Sequence, residues 1–443
     1  MRGLSPKVLF VPAFRTLFRG SRLGLEEGMA KTLECLEPRL GFQLVRAPVV
    51  SSYEEASRVA YRAVAEGIEL VVVGLVTFVT GEVLEPLLRL PIPKVLWAVP
   101  EVKQEGPLSQ NALCGLNLAL SLPYLKPPAK WLYGPAEERF LEQALRTTFK
   151  ALGGLRVLRG ARLLWLGGPP PGFAAFAEEP STGASVERIE LETLFEAWHE
   201  VPKDELEEEC SYWRAFSCMA DEALEATARL VVALRHLAQG YDGVALRDWP
   251  EIPERLGVVP SAALARLADE GFTFAPEGDL MGLLSQLVLE AVGGGKAILL
   301  DIVVAEGRAL QLWHGGEAPA SWAKRGFRLV PHFNRGLPAV RDMTLKRGPV
   351  SGLRLFRGKA VLVEGELTGQ GGYTGSAGWV TRVRWNGEPL DPQVFLQRWL
   401  GARVPHHIAL GQGRLGQPLR EALAWAGVDL AEPEGEVWGA SWQ

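Results

Sequence analysis

The alternation of short apolar runs with amphipathic stretches over the first 125 residues limits this chain to few architectures. Residues 8–13, 42–47, 70–73 and 95–99 read as strands, and residues 23–36, 53–65 and 81–88 between them read as helices. Strands separated by helices in this way pair in parallel, in a sheet covered on both faces. No GxGxxG follows the first strand and no GxxxxGK[ST] occurs anywhere, so this layer is not expected to cradle a phosphate or a dinucleotide.

The proline-rich segment 123–135 reads as a linker or domain edge, and a second α/β unit starts with a strand at 163–166. Residues 167–172, Gly-Gly-Pro-Pro-Pro-Gly, form a rigid turn, and 204–239 reads as one long helical stretch. Its acidic start, 204–209, suits the positive end of a helix dipole and reads as a solvated first turn rather than a metal site. Further elements are expected at 242–246 (strand), 261–270 and 280–291 (helices) and 297–304 (strand). After residue 317 the helical period fades. The short segments 354–357, 360–363 and 378–385 point to an antiparallel, barrel-like region, followed by a helix at 418–426.

A chain of 443 residues has room for two or three domains, and a 47% hydrophobic, 22% charged composition is that of a globular protein. The net charge of −5 argues against binding a nucleic-acid backbone. The longest uncharged stretch, 106–125, contains Pro107, Ser109, Gln110, Asn111, Asn117 and Pro123, too polar and broken to span a bilayer. Cys35, Cys114, Cys210 and Cys218 form no CxxC pair, so a reduced, cytoplasmic protein without a zinc–thiolate site is expected. The N-terminus carries Arg2 and Lys7 and only a short apolar run, which is no signal-peptide core.

Candidate chemistry begins at Phe274-Ala-Pro-Glu-Gly-Asp279, where a strand ends and a helix starts. Ligands collect at such strand ends in open α/β sheets. Helix capping explains Glu277 and Asp279 equally well, and Asp279 reads as a helix-start residue. Asp301 interrupts the apolar strand 297–304, and an unpaired carboxylate there would be costly, so it requires a cation, a hydrogen-bond network or a buried salt bridge. His314 precedes Gly315 and Gly316, which would let a backbone or ligand come close. Strand alternation would point the rings of His406 and His407 to opposite faces, leaving at most one as a ligand. Carboxylate oxygens with one imidazole suit Mn²⁺ or Mg²⁺ better than a structural zinc. Such an ion can hold two neighbouring sugar oxygens while carboxylates move protons between C1 and C2.

These residues resemble the L-fucose and L-arabinose isomerase-like family of sugar isomerases. The matching stretches are Pro93-Lys-Val-Leu-Trp-Ala-Val-Pro-Glu101, Asn111-Ala-Leu-Cys-Gly115, Ala245-Leu-Arg-Asp-Trp-Pro-Glu251, Pro276-Glu-Gly-Asp279, Asp301 and His406-His407, in the family's order over most of the chain. The resemblance implies an α/β fold of two Rossmann-like parallel-sheet domains (1–130 and 131–316) followed by a C-terminal domain (317–443) with an antiparallel β-barrel. It implies aldose–ketose isomerisation of a sugar, a Mn²⁺-type ion (or Mg²⁺ or Co²⁺), and a trimer or hexamer with shared sites. Carried over, Glu277 and Asp301 are metal ligands and the acid/base pair, and His407 is the third ligand. His314 resembles the additional active-site histidine, and Arg15 the sugar-contacting arginine lent by a neighbouring protomer. Pro276, Gly315 and Asp248 stand where family members often have Cys, which bears on the substrate pocket and leaves open a sugar-binding protein without catalysis. Trp249, Trp313 and Trp379 are candidates for stacking on a sugar face.

Overall fold

The computed structural model describes residues 5–103, 105–215 and 219–433 and forms two compact units; Cys218 lies outside the described residues. The first unit comprises Met1–Leu152 and Glu421–Gly427. Its sheet contains β1 (Lys7–Ala13), β2 (Gln43–Arg46), β3 (Leu70–Leu75), β4 (Lys94–Ala98) and β5 (Lys130–Tyr133), all parallel, in the order β2-β1-β3-β4-β5. Every residue of β3 and β4 is buried, as expected of strands with helices on both faces. Helices α1 (Leu25–Leu40), α2 (Tyr53–Ala65), α3 (Gly81–Leu88) and α4 (Ala112–Leu120) supply that cover. A reciprocal capping box between Ser52 and Glu55 starts α2.

The segment expected to be a linker contains β5. Only Leu132 of its four residues is buried, because an edge strand needs few apolar side chains, and the prolines around it obscure the pattern.

The second unit comprises Gly153–Arg420 and Val428–Gln443, with α5 (Glu138–Gly160) spanning the division. A second parallel sheet is built from β6 (Arg162–Leu166), β7 (Ser185–Ile189), β8 (Gly243–Leu246) and β9 (Phe274–Ala275), in the order β7-β6-β8-β9. Around it run α6 (Leu191–His199), α7 (Lys203–Arg214), α8 (Asp221–Leu237), α9 (Glu251–Leu256), α10 (Ser261–Asp269) and α11 (Leu280–Leu289). The stretch read as one helix over 204–239 is thus two. Asp221 and Glu222 open the second, where acidic side chains complement the dipole as they do at the start of α7.

The rest of this unit is a mixed sheet. Its strands are β10 (Ile298–Glu306), β11 (Ala309–His314), β12 (Arg328–Val330), β13 (Val340–Thr344), β14 (Gly348–Phe356), β15 (Lys359–Leu367), β16 (Ser376–Trp385), β17 (Glu388–Pro389), β18 (His407–Gln412) and β19 (Asp429–Leu430). Helix α12 (Pro392–Gly401) packs on β10, and α13 (Gly416–Ala426) follows β18. The order is β12-β13-β16-β11-β10-β18-β14-β15-β19, and β15 also pairs with β16, so the path of pairings returns on itself. Most pairings are antiparallel; β13 with β16 and β15 with β19 are parallel.

Helix α11 ties the two sheets of this unit together. All ten of its residues are buried, and it touches β8 and β9 of one sheet and β14 and β18 of the other. A helix apolar all round belongs inside a core, and the turn that leads into this one is thereby fixed in place. Among the described residues no helix is long and apolar enough to cross a membrane.

Candidate active site

Four side chains predicted from the sequence meet in the second unit: Glu277, Asp301, His314 and His407. Asp301 on β10 sits directly opposite His407 on β18 and Trp313 on β11, and His314 closes β11. Antiparallel register alone therefore sets Asp301 and His407 side by side. Glu277 reaches them from the turn between β9 and α11, where it has a left-handed backbone with φ of 57°.

That turn is built under constraint. Gly278 also has a positive φ, of 60°, and a Cβ there would lie 2.2 Å from the carbonyl oxygen of Gly168. The Glu277 backbone N–H donates to Asp248 Oδ1 at 2.7 Å, and the Trp165 indole N–H donates to the Gly278 carbonyl at 2.9 Å. A non-glycine residue held in this region costs energy that the surroundings must offset, and such residues cluster at functional sites.

The donor atoms converge. Glu277 Oε2 is 3.4 Å from His407 Nε2 and 3.3 Å from His406 Nε2. Asp301 Oδ1 is 3.6 Å from His407 Nε2 and 3.8 Å from His406 Nε2, and His314 Nε2 is 3.2 Å from His407 Nε2. Two ligand atoms about 2.1 Å from a cation and at right angles lie about 3 Å apart, so each of these pairs around His407 is spaced to share an ion. Asp301 Oδ1 is buried and has no hydrogen-bond partner among the described residues, so the carboxylate oxygen that most needs a cation faces this point. Glu277, His406 and His407, and likewise Asp301, His314 and His407, each have ligand atoms close enough to share an ion.

Both His406 and His407 come near Glu277, contrary to the alternation expected of them. The reason is that β18 begins at His407, so His406 precedes the strand and is free of its period. Its ring leans toward His407, centroids 4.4 Å apart, and stays half exposed while His407 is sealed. Phe176 stacks on His407 and Phe173 meets both Trp249 and His406 edge-on, which walls this side with aromatic surface.

Each inner imidazole is fixed from behind by a carboxylate. His407 Nδ1 donates to Asp279 Oδ2 at 2.9 Å, and His314 Nδ1 donates to Glu317 Oε2 at 2.7 Å. Both rings thereby turn Nε2 toward the shared point, the arrangement that orients metal-bound histidines. Asp279 also caps α11, accepting from Gly282 N at 2.9 Å, and pairs with the buried guanidinium of Arg354. Burial would raise its pKa, but Arg354 and His407 outweigh that and hold the carboxyl well below its usual range.

The electrostatics follow from this crowding. Burial would lower the pKa of His314, yet the charge and hydrogen bond of Glu317, with Asp301 and Glu277 beyond, raise it to about 10. The protonated form of His314 is thereby favoured, with its Nε2 3.2 Å from His407 Nε2. Burial and then the charge of Glu277 push Asp248 up to about 8. Burial also works against the charge of Glu277, but the His406 hydrogen bond and the His407 and His314 charges hold it at about 2.

Beside the cluster lies a cavity of about 230 Å³, into which Trp249, Trp313, Asp248 and the loop 332–335 also face. Trp249 donates to Glu277 Oε1 at 3.3 Å. Trp379 does not line it; its indole donates to Gly371. Gly316 answers to a close backbone approach: a Cβ there would lie 2.8 Å from the Arg341 carbonyl. Arg15 lies in the first unit, just past β1, its backbone N–H bonded to Thr77 Oγ1 at 2.8 Å.

Sequence reasoning missed the supports: Asp248, Glu317, Arg354 and the second role of Asp279. Arg354 was findable, since it interrupts an apolar strand just as Asp301 does. Glu317 stands three residues after His314 and could have been read as its partner.

No protein-family model matches the chain. Among curated proteins it is similar to the sulfoquinovose isomerase of Alkalicoccus urumqiensis, 28% identical over 298 residues, covering 63% of this chain and 67% of that one. The sulfoquinovose isomerases of Priestia aryabhattai and Priestia megaterium are each 26% identical over 390 residues, covering 82% of this chain and 87% of theirs. This kinship indicates an aldose–ketose isomerase.

Proposed function

We propose that the second unit carries the isomerase site and that it works with a divalent cation of the Mn²⁺ type, or Mg²⁺ or Co²⁺, held by Glu277, Asp301 and His407 with His314 beside them. The observation that carries this reading is that His407 Nε2 is shared by two groups of close ligand atoms, Glu277 with His406 and Asp301 with His314, so that both carboxylates stand 3.4 to 3.6 Å from it. A cation bound there would act as a Lewis acid on the neighbouring oxygens at C1 and C2 of an open-chain sugar and stabilise the developing enediolate.

The chain's own groups supply the rest. One of the two carboxylates, Glu277 or Asp301, takes the proton from C2 and returns it to C1, while the other passes the hydroxyl proton between the two oxygens. The low pKa of Glu277 belongs to the state in which the imidazoles beside it are charged; once they are neutral it becomes a stronger base. Asp248, neutral up to about pH 8, adds no charge beside Glu277 while it holds that residue's backbone. Phe173, Phe176 and Trp249 present apolar surface on this flank, and the lower local polarity strengthens charge interactions beside it.

The remaining family expectations belong to the same proposal. The returning path of strand pairings, which takes in β10 and β11 as well as strands after residue 317, supports a barrel; a three-domain organisation of 1–130, 131–316 and 317–443 is proposed from the resemblance alone. Arg15, at the carboxyl end of β1 where ligands gather in such sheets, is the residue a neighbouring copy would lend in a cytoplasmic trimer or hexamer. Sulfoquinovose, the sugar in the relatives' name, is the first substrate to try.

The test is metal analysis of the purified chain together with NMR of sulfoquinovose, fucose, arabinose and other aldoses incubated with it. We expect a bound divalent ion, a ketose product and loss of turnover in Glu277→Gln. Binding of sugar without turnover, unaffected by a chelator, would instead make the chain a sugar-binding protein.

A further inference from the structure

The inner end of the cavity is acidic: Asp248, Glu277, Asp301 and Glu317 all line it. The outer wall is different. Among the lining residues Arg335 alone carries a fixed positive charge, and no ion pair of its guanidinium occurs among the described residues. It lies over the ring of Trp249, 5.8 Å from the centroid, and the N–H of that same indole donates to Glu277 Oε1. The cation over the face of this indole and the proton-transferring carboxylate at its N–H edge therefore flank one side chain of the cavity wall.

The segment that presents Arg335 is closed and braced. His332 N donates to the Leu337 carbonyl at 2.8 Å and Gly336 N to the His332 carbonyl at 2.9 Å, while His332 Nδ1 accepts from the backbone of Asn334 and Arg335. Phe333 stacks on His332 and meets Trp313 edge-on at 5.0 Å. The loop thus rests on both tryptophans that flank the site, Phe333 on Trp313 and Arg335 on Trp249.

A neutral sugar has no use for an unpaired arginine at this place. A sugar with an acidic group at the end away from its carbonyl does, because that group must be kept off the inner carboxylates and needs a cation to offset them. Arginine suits this role, since its planar fork binds two oxygens of a sulfonate, phosphate or carboxylate at once. We propose that Arg335 is a specificity-determining residue that binds the anionic terminal group of an acidic sugar. The inference rests on the isomerase reading above and narrows its substrate class.

The experiment compares wild type, Arg335→Gln and Arg335→Lys on glucose, sulfoquinovose, glucose 6-phosphate and glucuronate. Calorimetric binding of the non-isomerisable 6-sulfonated hexitol is measured alongside. We expect Arg335→Gln to raise KM for the preferred acidic sugar roughly 10- to 100-fold with kcat little changed, to leave the neutral sugar unaffected, and to weaken hexitol binding by a similar factor. Arg335→Lys should recover part of the loss. The four sugars show which acid is meant. An equal effect on neutral and acidic sugars, or none on either, overturns the proposal. If wild type isomerises nothing, the isomerase reading fails by itself, and hexitol binding that depends on Arg335 still supports this one; its absence sinks it.

Discussion

Asp279 accepts the Nδ1–H of His407 at 2.9 Å while both side chains are sealed from solvent. One carboxylate thus caps the central helix, pairs with Arg354 and orients a proposed metal ligand. Stability and chemistry share a single group.

Asp279→Asn should therefore damage both. It leaves the buried Arg354 charge without its partner, a change worth about 3–5 kcal/mol, and loosens the ring of His407. Urea unfolding should show the loss, and Mn²⁺ titration of the folded protein should show roughly 10- to 100-fold weaker affinity.

Glu277→Gln keeps the shape of the side chain and its contact with Trp249, so the fold should survive with an unfolding midpoint close to wild type. Isomerisation should fall by about 10²- to 10⁴-fold, the usual weight of a general acid–base group. An active variant would remove Glu277 from the mechanism.

Gly278→Ala puts a Cβ against the Gly168 carbonyl in a backbone region alanine avoids. A loss of about 2–4 kcal/mol is expected, because backbone rather than a mobile side chain stands in the way. Thermal unfolding of this variant, compared with Gly257→Ala, where the backbone is left-handed with φ of 67° and a Cβ meets nothing within 4 Å, separates the clash from the cost of positive φ.

The pH dependence of the metal-free protein has a definite sign. His314 is raised in the fold from 6.5 to about 10, so its contribution to stability is complete below about pH 6.5 and is lost as pH rises through about 10. Cation binding must expel that proton, so Mn²⁺ affinity should rise over the same window. Denaturation at pH 6.5, 8 and 9.5 with and without Mn²⁺ checks both trends, and His314→Gln should flatten the metal-free one.

If Arg15 is lent by a neighbouring copy, Arg15→Ala and Glu277→Gln should each be inactive alone yet regain a fraction of activity when unfolded and refolded together. Size-exclusion chromatography with light scattering reports the assembly. Refolded mixtures with no regained activity would place Arg15 outside the site.

Much of the architecture is local and so was legible. The buried parallel strands announce themselves because both faces need apolar side chains, and the helices between them because one face does. Segments that satisfy only one side were hidden, such as β5 with its single buried residue, and so was the break between α7 and α8.

At the site the division is similar. Asp301, an acid in an apolar strand, and Glu277, at a strand-to-helix turn, were visible by sequence alone, because burying a charge or placing one at a helix start has a local cost. That Asp301 faces His407 depends on strand register across more than a hundred residues of chain, and no local rule sets it. The same holds for Asp279 behind His407, Glu317 behind His314 and Asp248 beneath Glu277. Sequence by itself determined which residues are expensive to bury; the tertiary structure decided which partners make that burial possible, because hydrogen bonds and charges act over a few ångströms of space and not along the chain.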